Sequence, residues 1–144
     1  MTVQKILKVK GDGPVVTVPS TASLSEVAQV LSARRIGAVV VSDDGLHPLG
    51  ILSERDIVRE LGKRGPACLT DPVEVLMTAK IVGCTRQDQT HDVLVKMTEG
   101  RFRHMPVMDG NAMVGLISIG DVVKARLAEL ATEVDALEGM IKGF

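Results

Sequence analysis

Apolar residues along the chain alternate between two spacings, three-to-four and near-continuous, and the alternation runs through the chain twice. Val3, Ile6, Leu7 and Lys10 fall on one face of a helix predicted over residues 2–10, with Thr2 as its candidate cap. Gly11-Asp12-Gly13-Pro14 breaks it. A β-branched run at 15–18 reads as a buried strand ended by Pro19. Leu24, Val27, Ala28 and Leu31 then predict a helix over 24–35, capped by Ser20, Thr21 or Ser23 and terminated by Gly37. Residues 38–41 form a strand apolar on both faces, Ser42-Asp43-Asp44-Gly45 a hairpin turn, and 49–52 a third strand. A helix over 54–62 follows.

Residues 62–71 are the least regular and connect two halves. Asp71-Pro72 opens a short helix that reaches Met77-Thr78, proline being suited to a first turn. The pattern then recurs. A strand is predicted over 80–85, a cap region at Asp88-Gln89-Thr90, and a helix carrying Val93, Leu94 and Met97 that Gly100 ends. Strands over 105–108 and 113–117 flank a turn at Asp109-Gly110-Asn111, and a helix runs from Asp121. A shift of 66 positions pairs Val16 with Val82, Glu26 with Asp92 and Val41 with Val107. One residue fewer in the second turn makes the shift 65, pairing Gly50 with Gly115 and Asp56 with Asp121. The fold class expected is α+β: a β-α-β-β-α unit written twice, over 1–65 and 66–125, with an amphipathic C-terminal helix over 126–144.

The best-matched stretch is Gly50-Ile51-Leu52-Ser53-Glu54-Arg55-Asp56, answered by Gly115-Leu116-Ile117-Ser118-Ile119-Gly120-Asp121. Each is a short apolar strand, a Ser, two variable residues and an Asp at the start of a helix. Ser with an acid three residues on is a capping box, which satisfies orphan amides at a helix start. The copies differ in one place that matters electrically: Arg55 stands where the second has Gly120.

Composition narrows the function classes. Lys and Arg total 17 against 18 Asp and Glu, so no global field draws in a polyanion, and Phe102 and Phe144 are the only aromatic residues. Base-stacking platforms are therefore lacking, and nucleic acid is not an expected partner. No apolar run approaches the ~20 residues of a membrane span, and residues 1–5 lack a secretory pattern, so cytoplasmic residence is the expectation. Cys68 and Cys84 stand apart with no ligand-spaced Cys or His, and His47, His91 and His104 are scattered, so no metal site is expected. Gly11 and Gly13 follow no strand and open no helix with a third glycine, which rejects a dinucleotide loop. No nucleophile-base set or phosphate loop occurs, so a binder is expected rather than an enzyme.

The doubled Gly-apolar-apolar-Ser-x-x-Asp motif, with Thr78 after Met77 and the Val-rich strands, resembles paired cystathionine-β-synthase-type (CBS) domains, the Bateman module, from about Thr2 to Lys124. The resemblance implies two repeats packed about a pseudo-two-fold axis with two clefts between them. It also implies a regulatory module that binds adenosine-containing ligands and transmits a conformational change to a regulated partner. AMP is the foremost ligand implied, with ADP, ATP, NAD(H) or S-adenosylmethionine as alternatives. Ribose would be taken by Asp56 and Asp121, and phosphate would lie near Ser53, Arg55, Ser118 and Gly120. Adenine would lie against Val16, Ile36, Gly37 and Ala38 in one half, and against Val82, Phe102, Arg103, His104 and Met105 in the other. The Arg55–Gly120 difference predicts unequal sites. A structural interaction module without a physiological ligand is the alternative. Either way Val122, Val123, Leu127, Leu130, Val134, Leu137 and Ile141 form a stripe that outlasts the repeat; it can pack back on the module, but a homodimer through the repeat faces and this helix is the expectation.

Overall fold

The computed structural model describes residues 1–11 and 13–142; Asp12 of the predicted breaker and the last two residues of the predicted 126–144 helix lie outside them. Its elements are α1 (Val3–Lys10), β1 (Thr17–Val18), α2 (Leu24–Arg34), β2 (Ala38–Val41), β3 (Gly50–Ser53), α3 (Glu54–Arg64), α4 (Val73–Leu76), α5 (Thr90–Gly100), β4 (His104–Asp109), β5 (Ala112–Ser118) and α6 (Ile119–Ile141), with a 3-10 segment over Gly65–Thr70. This is the mixed α+β class expected, with the first strand of the second copy missing, and α6 carries the second motif and the C-terminal stripe on one continuous helix.

The chain gathers into two compact units that exchange segments relative to the sequence repeats. One holds Pro14–Val82 with Asp109–Val114; the other holds Met1–Gly13, Gly83–Met108 and Gly115–Phe144. The helix that opens the chain therefore sits with the second repeat, while α4, which follows the first repeat, stays with the first.

In the first unit β2 is the middle strand of three, parallel to β1 and antiparallel to β3 with Ala38 opposite Ser53 and Val41 opposite Gly50. Val39 and Val41 face the first core, and Ala38 and Val40, on the opposite face, are buried too. Leu24, Val27 and Leu31 of α2 bury their stripe in the same core as Val39, Val41, Leu52, Ile57 and Val73. Ser23 is the cap among the three candidates: its hydroxyl accepts from the Glu26 amide at 3.1 Å and Glu26 answers. The expected stop at Gly37 is corrected. Helix α2 ends two residues earlier because Arg35 takes the left-handed conformation, φ 53°, and the Ile36 amide closes back on the Leu31 carbonyl at 3.1 Å.

In the second unit α5 and α6 pack together, with Val93, Met97, Met105, Val107, Ile117 and Val122 buried. The strand predicted over 80–85 does not form; Cys84 makes one parallel bridge to Val107. The cause lies in the partner strand. The Val40 amide bonds the Val16 carbonyl at 3.3 Å, but the residue matching Val40 is Pro106, which has no amide hydrogen. Only the next rung survives, Met108 N–H to Cys84 O at 2.7 Å and Cys84 N–H to Pro106 O at 3.0 Å. The cap of α5 falls within the expected region, at Gln89, though without a side-chain bond; the Asp88 carboxylate accepts from the Thr85 amide instead. Thr2 makes no side-chain cap either; α1 begins on backbone bonds from Val3 to Asp88 O and Gln4 to Arg86 O, both 2.9 Å.

Candidate functional site

The two motifs fold alike because their short-range chemistry is the same. Ser53 caps α3 and accepts from the Asp56 amide at 3.3 Å, while Asp56 Oδ2 accepts from the Ser53 amide and hydroxyl, both at 2.9 Å. Ser118 caps α6 and accepts from the Asp121 amide at 3.2 Å, while Asp121 Oδ2 accepts from the Ser118 amide at 2.9 Å. Both capping boxes read from the sequence are present. Each engages Oδ2 of its aspartate.

A second bond gives each motif a fixed neighbour. The Glu54 amide donates to the Gly37 carbonyl at 2.9 Å, and the Ile119 amide to the Arg103 carbonyl at 2.7 Å. Residues 37 and 103 match under the 66-residue shift, so one construction is used twice. The structure thus brings Ile36, Gly37 and Ala38 beside Ser53, Arg55 and Asp56 in one unit. In the other it brings Phe102, Arg103, His104 and Met105 beside Ser118, Gly120 and Asp121. Neither bond uses the second amide of the helix, that of Arg55 or Gly120, which has no acceptor within its own helix.

Burial decides what each residue can present. Ala38 and Met105 are buried, so only their backbones are at hand for a ligand. Val16 and Ile36 are half-buried against the first core. Phe102 lies against Gly100, where an added Cβ would come within 2.2 Å of the ring. Val82 is exposed, outside any strand, and lies in the unit of Asp56 rather than that of Asp121. Arg55, Arg103 and Gly120 are exposed, and His104 is half-buried. Glu54, Arg55, Val58 and Arg59 line an open depression of about 430 Å³ beside the first motif.

Cations differ more between the copies than Arg55 and Gly120 alone suggest. Arg59 Nη1 stands 3.5 Å from Asp56 Oδ1 on the same helix. Lys10 Nζ, from α1, is 2.8 Å from Asp121 Oδ2 and 2.9 Å from the Leu116 carbonyl. Burial pushes the Asp121 carboxyl up, but the Lys10 ammonium and the Ser118 donors hold it below its ordinary value. Lys10 and Arg59 were not among the expected site residues. The available signals were a lysine on the apolar face of α1 and an arginine three residues after Asp56. Among the described residues no group of His, Cys, Asp and Glu is placed to hold a metal ion.

A family model of the CBS domain matches residues 11–63 and, separately, 73–128. The chain belongs to the CBS-domain family. A CBS-domain containing protein of Agrobacterium tumefaciens is 45% identical with a TM-score of 0.83, covering 88% of this chain and 99% of that one. A CBS domain protein of Pyrobaculum aerophilum, solved complexed with AMP, is 31% identical with a TM-score of 0.77, covering 92% of this chain and 99% of that one. The mitochondrial CBS domain-containing protein CBSX3 of Arabidopsis thaliana is 30% identical over 99% of this chain and 72% of its own length. The chain is thus a tandem CBS pair. Among its described residues no helix is long and apolar enough to cross a membrane.

Proposed function

We propose that this CBS pair is a regulatory module that binds an adenosine-containing ligand, AMP foremost, at each of its two motifs. The observation that carries the reading is the duplicated Ser–Asp box with its tied loop carbonyl, Gly37 in one unit and Arg103 in the other. A carboxylate set at a helix start can accept from both hydroxyls of a ribose diol at once, one on each oxygen, the role an acid plays in dinucleotide folds. The second amide of each helix and the positive dipole end suit a phosphate. Arg55 adds a donor fork at the first motif, with Ser53 beside it; Ser118 and Gly120 stand in those places at the second. Adenine is assigned to Val16, Ile36, Gly37 and Ala38 in one unit, and to Phe102, Arg103, His104 and Met105 in the other; Val82, in the unit of Asp56, is left out of the second set. The AMP complex of the 31%-identical relative supports an adenosine ligand; ADP, ATP and NAD(H) share that portion.

Asp56 and Asp121 belong to matching boxes in different repeats, which suits two like binding sites rather than one acid and one base. In this reading the module acts on a partner by binding ligand more tightly in one of two conformations. Melting of the purified protein with AMP, ATP or NADH is the test. A ligand at about 100 times its Kd adds about 2.7 kcal/mol, a rise of roughly 5–10 °C for a chain of this size. No rise with any of them contradicts the reading.

One observation favours a second reading, a ligand-free interaction module. Leu127, Leu130, Val134, Leu137 and Ile141 of α6 are exposed along one helix, a surface that suits a second copy or another protein. A homodimer whose melting ignores every adenine nucleotide is the outcome that selects it.

A further inference from the structure

The two units fasten their leading segments to their last strands by different chemistry. In the first, Thr78 follows α4 and exchanges two backbone bonds with Ile51 of β3, at 3.0 and 2.9 Å. The residue matching Ile51 is Leu116 of β5, and its carbonyl is bonded by the Lys10 ammonium at 2.9 Å. The same ammonium reaches Asp121 Oδ2 at 2.8 Å. The end of α1 is thus tied to β5 through a side chain that is shared with the motif carboxylate. In the first unit the tie is main-chain, and the cation beside Asp56 is Arg59 of its own helix, at 3.5 Å.

We propose that Lys10 couples the second adenosine site to α1, ribose hydroxyls and the Lys10 ammonium competing for Asp121, so that filling this site frees the last turn of α1. This rests on the adenosine reading above. Asp121 Oδ2 already accepts from the Ser118 amide and from Lys10. A ribose diol held by both oxygens brings one hydroxyl to Oδ1 and the other to Oδ2, where with two donors in place there is little room for a third. An ammonium displaced from Oδ2 also leaves the Leu116 carbonyl, because one position of a long flexible side chain serves both acceptors. The start of α1 stays in place on its backbone bonds to Asp88 and Arg86. Loosening is confined to the last turn, where the Gly11 amide donates to the Leu7 carbonyl at 3.1 Å. The coupling is reciprocal, so the tie weakens the second site as much as ligand weakens the tie.

The test uses full-length protein carrying Asp56→Asn, which isolates the second site, with AMP as probe and two readouts: calorimetric affinity and amide exchange at Gly11. AMP is expected to speed Gly11 exchange about threefold, the scale of one partly exposed ion pair. Adding Lys10→Met should tighten AMP binding by a similar factor and leave Gly11 exchange fast with or without ligand, whereas Lys10→Arg should behave as Lys10. The proposal is overturned if AMP binds but leaves or slows Gly11 exchange, or if Lys10→Met binds no tighter. It is also overturned if Asp56→Asn alone abolishes the binding seen in the unsubstituted protein, an outcome that leaves the adenosine reading intact. Absence of AMP binding by the unsubstituted protein defeats that reading together with this one.

Discussion

Ser53 and Asp56 each have a local duty, the cap of α3, and a proposed one, the ligand, and substitutions can separate the two. Ser53→Ala removes the acceptor for the Asp56 amide and is expected to cost about 1 kcal/mol in urea unfolding, as N-cap losses do. Asp56→Asn keeps an oxygen for the Ser53 amide but loses the charge, so stability should change less than AMP affinity does. These residues were legible in the sequence because a capping box lies within four positions and repeats. Lys10 was not legible as a site residue, since its partner Asp121 lies 111 positions away and nothing local marks the pairing. Arg35 was missed as a helix stop because a left-handed arginine carries no signal that a nearby Gly37 does not outweigh.

At the scale of elements, the glycine that opens each motif shows how tightly the leading segments sit. A Cβ on Gly50 would meet Met77 Sδ at 2.5 Å and the Thr78 carbonyl at 3.0 Å, whereas one on Gly115 would meet only the Leu7 side chain, Cδ2 at 2.7 Å. A leucine side chain can turn aside; a backbone carbonyl held in a bridge cannot. Gly50→Ala should therefore destabilise more than Gly115→Ala, by about 1–3 kcal/mol against under 1, in urea titrations of both variants. Helix α6 has its own tie. Glu129 accepts from the Met1 ammonium at 2.9 Å, Thr90 Oγ1 at 2.8 Å and Arg126 Nη1 at 2.7 Å. Burial pushes its carboxyl up, but those donors outweigh burial and hold it at about 2, below the ordinary 4.5. A depressed folded value contributes stability that is complete above pH 4.5 and lost as pH falls toward 2. Glu129→Gln should flatten the acid side of the stability curve across that window, and an unchanged curve would show that Glu129 contributes nothing to it. The strand expected at 80–85 failed at this scale. Its own residues read correctly as strand formers, but a ladder needs donors on both sides and Pro106 has none.

At the scale of the molecule, the order of elements followed from periodicity except at 80–85, while the grouping of segments did not. Hydrophobic spacing says that α1 and α4 are short amphipathic pieces; it does not say which strand each will cover. The unpartnered stripe on α6 belongs here as well. Leu127, Leu130, Val134 and Leu137 stay exposed while α6 packs on α5 and α1, which supports a second copy as their cover. Sedimentation should find a dimer, and Leu130→Glu with Leu137→Glu should shift it to monomer while leaving the melting of the fold near its original midpoint; a monomeric parent protein would refute the dimer.

Two matched aspartates that each hold one adenosine ligand have a direct signature in isothermal titration with AMP, run on the unsubstituted protein, on Asp56→Asn, on Asp121→Asn and on the double variant, each first shown to be folded. Two unequal sites are expected in the first, one in each single variant and none in the double. Binding that persists in the double variant, or is absent from the unsubstituted protein, rules out ligand-holding by the two aspartates.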